Sequence, residues 1–265
     1  MKILITGGNG YIAQSLKKGL SSFPYDVTCI TRKDFDLTDK EATDKWFTNK
    51  HFDIVIHTAI KGGSRLKPDT GEVFYQNLQM FYNLYYNKSH FNKLIQFGSG
   101  AELGQPTTPY GLSKKIIKDI CNAEDNFYNI RIFAVFDENE LDTRFIKSNI
   151  KRYLKGEDLY VFAEKKMDFF YMKDLIKLVN FYIKNDNPPK IIDCTYNKSP
   201  FLTQIASLIS DQGGLRRRIR QEWIGDFPSY SGTFTDLGID YIGLEQGIKE
   251  VYNKLQEEYE FLNIG

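Results

Sequence analysis

The strongest constraint on the fold lies in the first twenty residues. Lys2 to Thr6 is a short, largely apolar run that stops at Gly7-Gly8, and Ile12, Leu16 and Leu20 then recur at helical spacing. A buried strand therefore turns straight into an amphipathic helix. The alternation continues. Residues 27–31 read as a second strand, and Asp39 is placed to cap a helix through Ala42, Trp46 and Phe47. A third strand at 54–56 is followed by a long helix over 71–89. Residues 94–97 form a strand ending at Gly98-Ser99-Gly100, a helix starts near Thr108 or Pro109, and 129–136 is again strand-like. Strand and helix in alternation mean parallel strands with crossover helices, a doubly wound α/β sheet.

The later half is less regular. It holds a helical pattern over 145–154, a segment at 168–171 leading into a helix through Ile176, Val179 and Ile183, a short strand at Ile191-Ile192, and a last amphipathic helix over 244–262. No repeat or low-complexity tract divides the 265 residues. Lys plus Arg number 35 and Asp plus Glu 34, a net charge of +1, which argues against a protein that coats nucleic acid. The three cysteines, Cys29, Cys121 and Cys194, are scattered, so neither a disulfide framework nor a metal cluster is expected. The N-terminal apolar run is too short for a signal peptide, and no stretch nears the roughly 20 apolar residues of a membrane span. A cytoplasmic protein that binds neither membrane nor nucleic acid is expected.

The turn Thr6-Gly7-Gly8-Asn9-Gly10-Tyr11-Ile12-Ala13 suits a dinucleotide. Gly7 permits the tight turn, Gly10 lets the backbone approach a pyrophosphate, and Ala13 keeps helix and strand close. The phosphates then meet the helix N-terminus, where amide groups and the dipole favour anions. An NAD site usually places a carboxylate at the end of the second strand. Here Thr31 is followed by Arg32 and Lys33, and the guanidinium fork suits a ribose 2′-phosphate. NADP(H) is favoured, and NAD stays open because Asp34 and Asp36 are near.

Tyr110-Gly111-Leu112-Ser113-Lys114 puts a phenol and an ammonium on one helical face. Tyr110 is the one tyrosine of 17 with a lysine four places on. A cation nearby stabilises a phenolate, whose ordinary pKa of about 10 makes it a poor acid or base at neutrality. Ser99 lies at the end of the preceding strand, on the carboxyl edge where parallel sheets bind ligands, and its hydroxyl can hold a substrate carbonyl.

Together these features resemble the extended short-chain dehydrogenase/reductase family, also described as the NAD-dependent epimerase/dehydratase family, over nearly the whole chain. The resemblance implies a Rossmann-type domain over 1–160. It also implies a smaller, interwoven substrate-binding lobe over 161–265, with 191–193 returning to the sheet. It implies Ser99, Tyr110 and Lys114 as catalytic residues. Tyr110 and Lys114 also belong to the implied cofactor set, with Gly7, Gly10, Tyr11, Ile12, Thr31, Arg32, Asp36, Leu37, Thr58, Ala59, Ile60 and Asn77. The segment from Asp168 to Leu175 and the passage Leu237-Gly238-Ile239 with Leu244 to Ile248 look like the family's late signatures. The cofactor end looks most like the nucleotide-sugar 4-keto reductases, such as dTDP-4-dehydrorhamnose reductase and GDP-fucose synthase.

Departures narrow the chemistry. The family's 4,6-dehydratases carry an Asp-Glu pair where this chain has Gly100-Ala101. The Cys/His pair of the fucose synthases is also missing: the Cys position is Ala101, and the histidines, His51, His57 and His90, all precede Tyr110. The family's arginine before Asp168 is Met167. Gly100 and Ala101 are expected as substrate contacts, and Arg144, Lys165, Lys166 or the Arg216-Arg217-Arg218 run is expected to replace the missing phosphate contact. The expected activity is NADPH-dependent reduction of a nucleotide-linked 4-keto-6-deoxy sugar. An NAD-dependent C4 epimerase and a non-catalytic dinucleotide-binding protein are the alternatives. The long helix, apolar through Val73, Leu78, Phe81, Tyr82 and Tyr85, is a candidate homodimer face.

Overall fold

The computed structural model describes residues 1–63, 68–222 and 228–264. Two compact units emerge: Met1–Ile132 with Leu178–Asp193, and Phe133–Lys177 with the chain from Cys194 on.

The first unit is a six-stranded sheet. Its strands are β1 (Lys2–Thr6), β2 (Asp26–Cys29), β3 (Phe52–His57), β4 (Phe91–Ser99), β5 (Phe127–Ile132) and, from the late segment, Ile191–Cys194. The order is β2-β1-β3-β4-β5 with the late strand outermost beyond β5. Neighbours from β2 to β5 pair in parallel. The crossovers are α1 (Tyr11–Leu20), α2 (Lys40–Phe47), α3 (Gly71–Tyr86), the short α4 (Ala101–Gly104) and α5 (Pro109–Ala123). Ile3, Leu4 and Ile5 are all buried, as expected when helices cover both faces of a parallel sheet and the strand becomes a continuous apolar run. Start signals in the sequence work locally. The Asp39 carboxylate accepts the Ala42 amide at 3.0 Å. The Thr108 hydroxyl accepts the Gly111 amide at 3.1 Å, with Pro109 in the first turn of α5.

The long helix ends earlier than its apolar pattern suggests, at Tyr86, and a short 3₁₀ turn at Lys88–His90 leads into β4. Val73, Met80, Phe81 and Leu84 turn to the core, whereas Tyr75, Tyr82 and Tyr86 stay exposed.

The second unit holds β6 (Val135–Phe136), α6 (Phe145–Leu154), β7 (Leu159–Val161) and β8 (Phe170–Tyr171), which opens α7 (Met172–Lys184), a helix whose residues from Leu178 on belong to the first unit. The late sheet strand is then β9 (Ile191–Cys194), and α8 (Leu202–Gln212), β10 (Ile219–Gln221) and α9 (Leu244–Ile264) follow. The expected single strand at 129–136 is two. β5 ends at Ile132, and Val135 pairs instead with Phe170 in a two-stranded ladder with β8. The boundary expected at 160 falls inside this unit, because Ile146, Ile150 and Tyr153 of α6 pack in one cluster with Ile205, Ile209, Val251 and Leu255. α8 has no counterpart among the elements read from the sequence, although Leu202, Ile205, Ala206 and Ile209 carry its buried stripe. Asp174, fully buried, ties the start of α9 down. It accepts the Ile242 and Gly243 amides at 2.7 and 2.9 Å and the Tyr196 hydroxyl at 2.6 Å. Of the late loop 213–233, residues 223–227 lie outside the described residues. Among the described residues no helix is long and apolar enough to cross a membrane.

Candidate active site

The glycine turn opens a cleft of about 400 Å³ at the carboxyl edge of the sheet, between the ends of β1, β2 and β3. Gly7 adopts φ +69, and a Cβ there would come within 2.8 Å of the Ala59 backbone, so only glycine lets the two turns close on each other. Gly10 caps α1 without a side chain, and no acidic residue lies in the helix's first turn. The cleft floor is thus main chain at a helix N-terminus, a surface matched to a pyrophosphate. Gly7, Gly10, Thr31, Arg32, Asp36, Leu37, Thr58, Ala59 and Ile60 all line it. Tyr11 and Ile12 begin α1, half-buried, beyond the lining.

At the β2 end both nearby carboxylates are engaged. Asp34 accepts the Thr31 amide at 2.8 Å and the Thr31 hydroxyl at 3.0 Å. Asp36 accepts the Thr38 amide at 2.9 Å and its hydroxyl at 2.8 Å. These bonds hold both carboxyls below their usual range. Arg32 is exposed and lines the cleft. Phe35, also in the lining, stacks on Trp46 at 5.2 Å between centroids.

Thr6 and Asn9 of the glycine turn line the cleft as well, with Ile30, Phe35 and Met80, which the sequence reading does not single out. Phe35 stands beside Asp36, and Met80 lies one helical turn beyond Asn77, so spacing alone could have found both.

Tyr110 and Lys114 stand one turn apart on α5. The Tyr110 ring packs against Gly63, where a Cβ would come within 2.8 Å of Cζ. That loop is pinned from two sides. Asn77, buried on α3, accepts the Lys61 amide at 2.9 Å and donates to the Lys61 carbonyl at 3.0 Å and the Ser113 hydroxyl at 3.2 Å. Asp69 accepts the Gly63 amide at 2.9 Å. Lys114 is buried and donates to the Phe97 carbonyl at 2.7 Å. Burial pulls its ammonium down to about 8, with Glu102 opposing the shift. At neutral pH it is mostly a cation. Behind it His57, fully buried, shares a 2.8 Å hydrogen bond with Thr6 Oγ1. Burial first, and the Lys114 charge second, pull the imidazole down to about 3, so it stays neutral.

Ser99 ends β4 on the same edge. Its hydroxyl oxygen accepts the Ala101 amide at 3.2 Å, which sets the side chain. Gly100 and Ala101 are buried in this turn, and the Gly100 amide donates to the Ile132 carbonyl at 2.8 Å. The Gly111 backbone packs on the Ala101 and Gln105 carbonyls, so the Ser99 turn and the first turn of α5 meet. Glu102, the one carboxylate of α4, points inward and pairs with Arg131 at 2.9 Å.

The charged candidates from the later segments belong to the second unit. Arg144 is the exposed N-cap of α6. Lys165 is half-buried with its ammonium 5.3 Å from the Phe162 ring. Arg217 lies 5.3 Å over Tyr153, flanked by exposed Arg216 and Arg218. Met167 is fully buried in that unit's core. Among the described residues no three His, Cys, Asp or Glu side chains are grouped as metal ligands.

This fold and edge define an NAD(P)-dependent oxidoreductase of the extended short-chain dehydrogenase/reductase type. Residues 3–195 match the NAD dependent epimerase/dehydratase family, and the chain belongs to it. A GDP-L-colitose synthase from Yersinia pseudotuberculosis is 24% identical over 226 residues, covering 70% of this chain and 73% of that protein. The fold is similar to a GDP-mannoheptose C4 reductase from Campylobacter jejuni, solved with NADP bound, at TM-score 0.81 and 15% identity over 96% of this chain and 98% of that one. It is also similar to a UDP-glucose 4-epimerase from Thermotoga maritima at TM-score 0.80 and 17% identity, over 98% of this chain and 100% of that one.

Proposed function

We propose that the chain is an NADPH-dependent reductase of a nucleotide-linked 4-keto-6-deoxy sugar. One observation carries the reductase reading. The turn after Ser99 offers Gly100 and Ala101 in place of an acid–base pair, and the next carboxylate, Glu102, is committed inward to Arg131. The turn therefore holds a carbonyl without dehydrating its neighbour. The engaged Asp34 and Asp36, with Arg32 exposed beside them, support NADPH. The name of the GDP-mannoheptose C4 reductase, solved with NADP bound, agrees with both parts, and that of the GDP-L-colitose synthase agrees with a nucleotide-linked sugar.

The bound nicotinamide supplies the hydride. Gly7 and Gly10 bring main-chain amides to the pyrophosphate, Arg32 takes the 2′-phosphate, Leu37 and Asp36 border the adenine, and Tyr11, Ile12, Thr58, Ala59 and Ile60 complete the cradle. Ser99 hydrogen-bonds the substrate ketone oxygen and steadies the charge that develops on it. Tyr110 donates the proton to the forming alkoxide. Lys114 holds the nicotinamide ribose, and its cation eases the phenol's loss of that proton. Asn77 keeps the Lys61–Gly63 loop against Tyr110. Gly100, Ala101, Arg144 and Lys165 are the proposed substrate contacts. Exposed Tyr75, Tyr82 and Tyr86 on α3, with Leu112 on α5, are the proposed homodimer face, which a monomer mass by light scattering would remove.

The test starts with native mass spectrometry of the purified protein. It continues with NADPH oxidation at 340 nm against GDP-, dTDP- and UDP-linked 4-keto-6-deoxy sugars. Exchangeable sites that take up NADPH, turnover of one such sugar, and loss of most of that turnover in Tyr110→Phe with NADPH binding nearly intact are expected. Stoichiometric NAD that resists exchange, without net redox change, would replace this reading by a C4 epimerase. Dinucleotide binding with no turnover on any sugar nucleotide would replace it by a non-catalytic binding protein.

A further inference from the structure

We propose that Glu102 is a positioning residue of this site: its carboxylate lies beneath the Ser99 turn to hold the Ser99 amide and to balance the buried Lys114 cation. The inference rests on the proposed reaction only for what the site is positioned to do.

The geometry is built around one carboxylate. Glu102 sits three residues past Ser99 with a side chain 1% exposed. Its Oε1 accepts the Ser99 amide at 2.9 Å, and its Oε2 accepts Arg131 Nε at 2.9 Å. Arg131 Nη1 donates to Asp193 Oδ1 at 2.6 Å, and the Asn129 amide approaches both Glu102 oxygens at 3.4 Å. Gly98 leaves the space this requires, since a Cβ there would overlap Glu102 Oε1 and come within 2.6 Å of the Asn129 amide. Residues from β4, α4, β5 and β9 thus make one buried polar layer under the candidate catalytic edge.

Packing alone does not call for such a layer. Removing two charges from water is costly, and an apolar residue of similar volume often serves stability as well or better. The two extra tasks of Glu102 supply the reason. It fixes the Ser99 backbone, while the Ala101 amide fixes the Ser99 hydroxyl from the other side; a displacement of about 1 Å at a substrate-holding group can cost on the order of a hundredfold in rate. It also offsets the Lys114 cation: the Lys114 ammonium donates to the Phe97 carbonyl, the residue before Gly98, against which Glu102 lies, so Glu102 and Asp193 balance Arg131 and Lys114. The other titratable groups facing Lys114 include Tyr110, one turn before it on α5, His57 on β3, held neutral, and Cys121 on α5, whose thiol burial pushes up. Lys190, also near Cys121, is tied to the Glu124 and Asp125 carbonyls.

The test follows the Lys114 13Cε signal through a pH titration of this whole chain without cofactor, assigned with Lys114→Arg. Glu102→Gln keeps the volume and an acceptor for Ser99 but removes the charge. Its Lys114 midpoint should fall by about one pH unit or more, because a cation that loses a neighbouring anion is harder to keep charged. Asp193→Asn neutralises the other carboxylate on Arg131 without touching Ser99, and it should shift Lys114 less than half as far. Glu102→Asp keeps the charge but withdraws it, so the Ser99 amide signal should move while the Lys114 midpoint falls by less than in Glu102→Gln. A folded Glu102→Gln with Lys114 unmoved, or equal shifts in Glu102→Gln and Asp193→Asn, overturns the proposal. If Glu102→Gln does not fold, Glu102→Asp decides: an unmoved Ser99 amide overturns it. Because no substrate or cofactor enters this titration, its failure is distinct from failure of the NADPH assay.

Discussion

Acidification should destabilise this protein through one histidine. Burial pulls the His57 imidazole from 6.5 down to about 3, and its ring is occupied by the Thr6 hydroxyl. The folded state keeps the ring neutral, whereas the unfolded chain binds a proton once the pH drops below 6.5. Stability from this group is therefore fully present above that value and drains away as the pH falls towards 3. The linkage slope is about 1.4 kcal/mol per pH unit, so between pH 7 and pH 5 His57 alone should remove about 2 kcal/mol. The perturbation is His57→Asn, whose amide can take either side of the hydrogen bond with the Thr6 hydroxyl but does not titrate. Urea unfolding of both proteins, followed by far-UV circular dichroism at pH 7 and pH 5, gives two losses. The wild-type loss should exceed the variant's by about 2 kcal/mol. The difference cancels the carboxylates, which both proteins share. Equal losses in the two proteins would refute the reasoning, and with it the neutral, buried state of the ring.

Gly98→Ala forces a methyl into the space held by Glu102 and Asn129. Overpacking plus loss of the charged hydrogen bond to Ser99 should lower stability by about 3–5 kcal/mol, read from the urea midpoint; a change below about 1 kcal/mol would contradict the tight layer. Asp174→Ala leaves the Ile242 and Gly243 amides and the Tyr196 hydroxyl without their shared acceptor. It should cost about 2–4 kcal/mol and raise amide exchange at the start of α9, and unchanged exchange there would count against the anchor. Arg32→Ala should weaken NADPH about tenfold or more while sparing NADH, measured by titration calorimetry; an unchanged affinity ratio would end the 2′-phosphate assignment.

How much could be read without coordinates follows from the range of each interaction. The alternating sheet and helices, the glycine turn, the caps at Asp39 and Thr108 and the Tyr110–Lys114 pair are local patterns. Residues within a few positions of one another settle them, and strand period, helix period and turn sterics repeat in any chain that carries them. The break after Ile132, the unit to which α6 belongs and the paths of the late segments depend on partners far along the chain. Val135 finds Phe170, and Ile150 shares a core with Ile209 and Val251. Glu102 shows the difference most plainly. In the sequence it is one more carboxylate near a surface-like turn. Its meaning comes from Arg131 on β5 and Asp193 on β9, which the sheet order sets beside it, and from the missing side chain at Gly98. Local spacing prescribes which face a residue takes, but the charge of a buried group acts on whatever the folded sheet brings within a few ångströms, and no spacing along the chain encodes that neighbourhood.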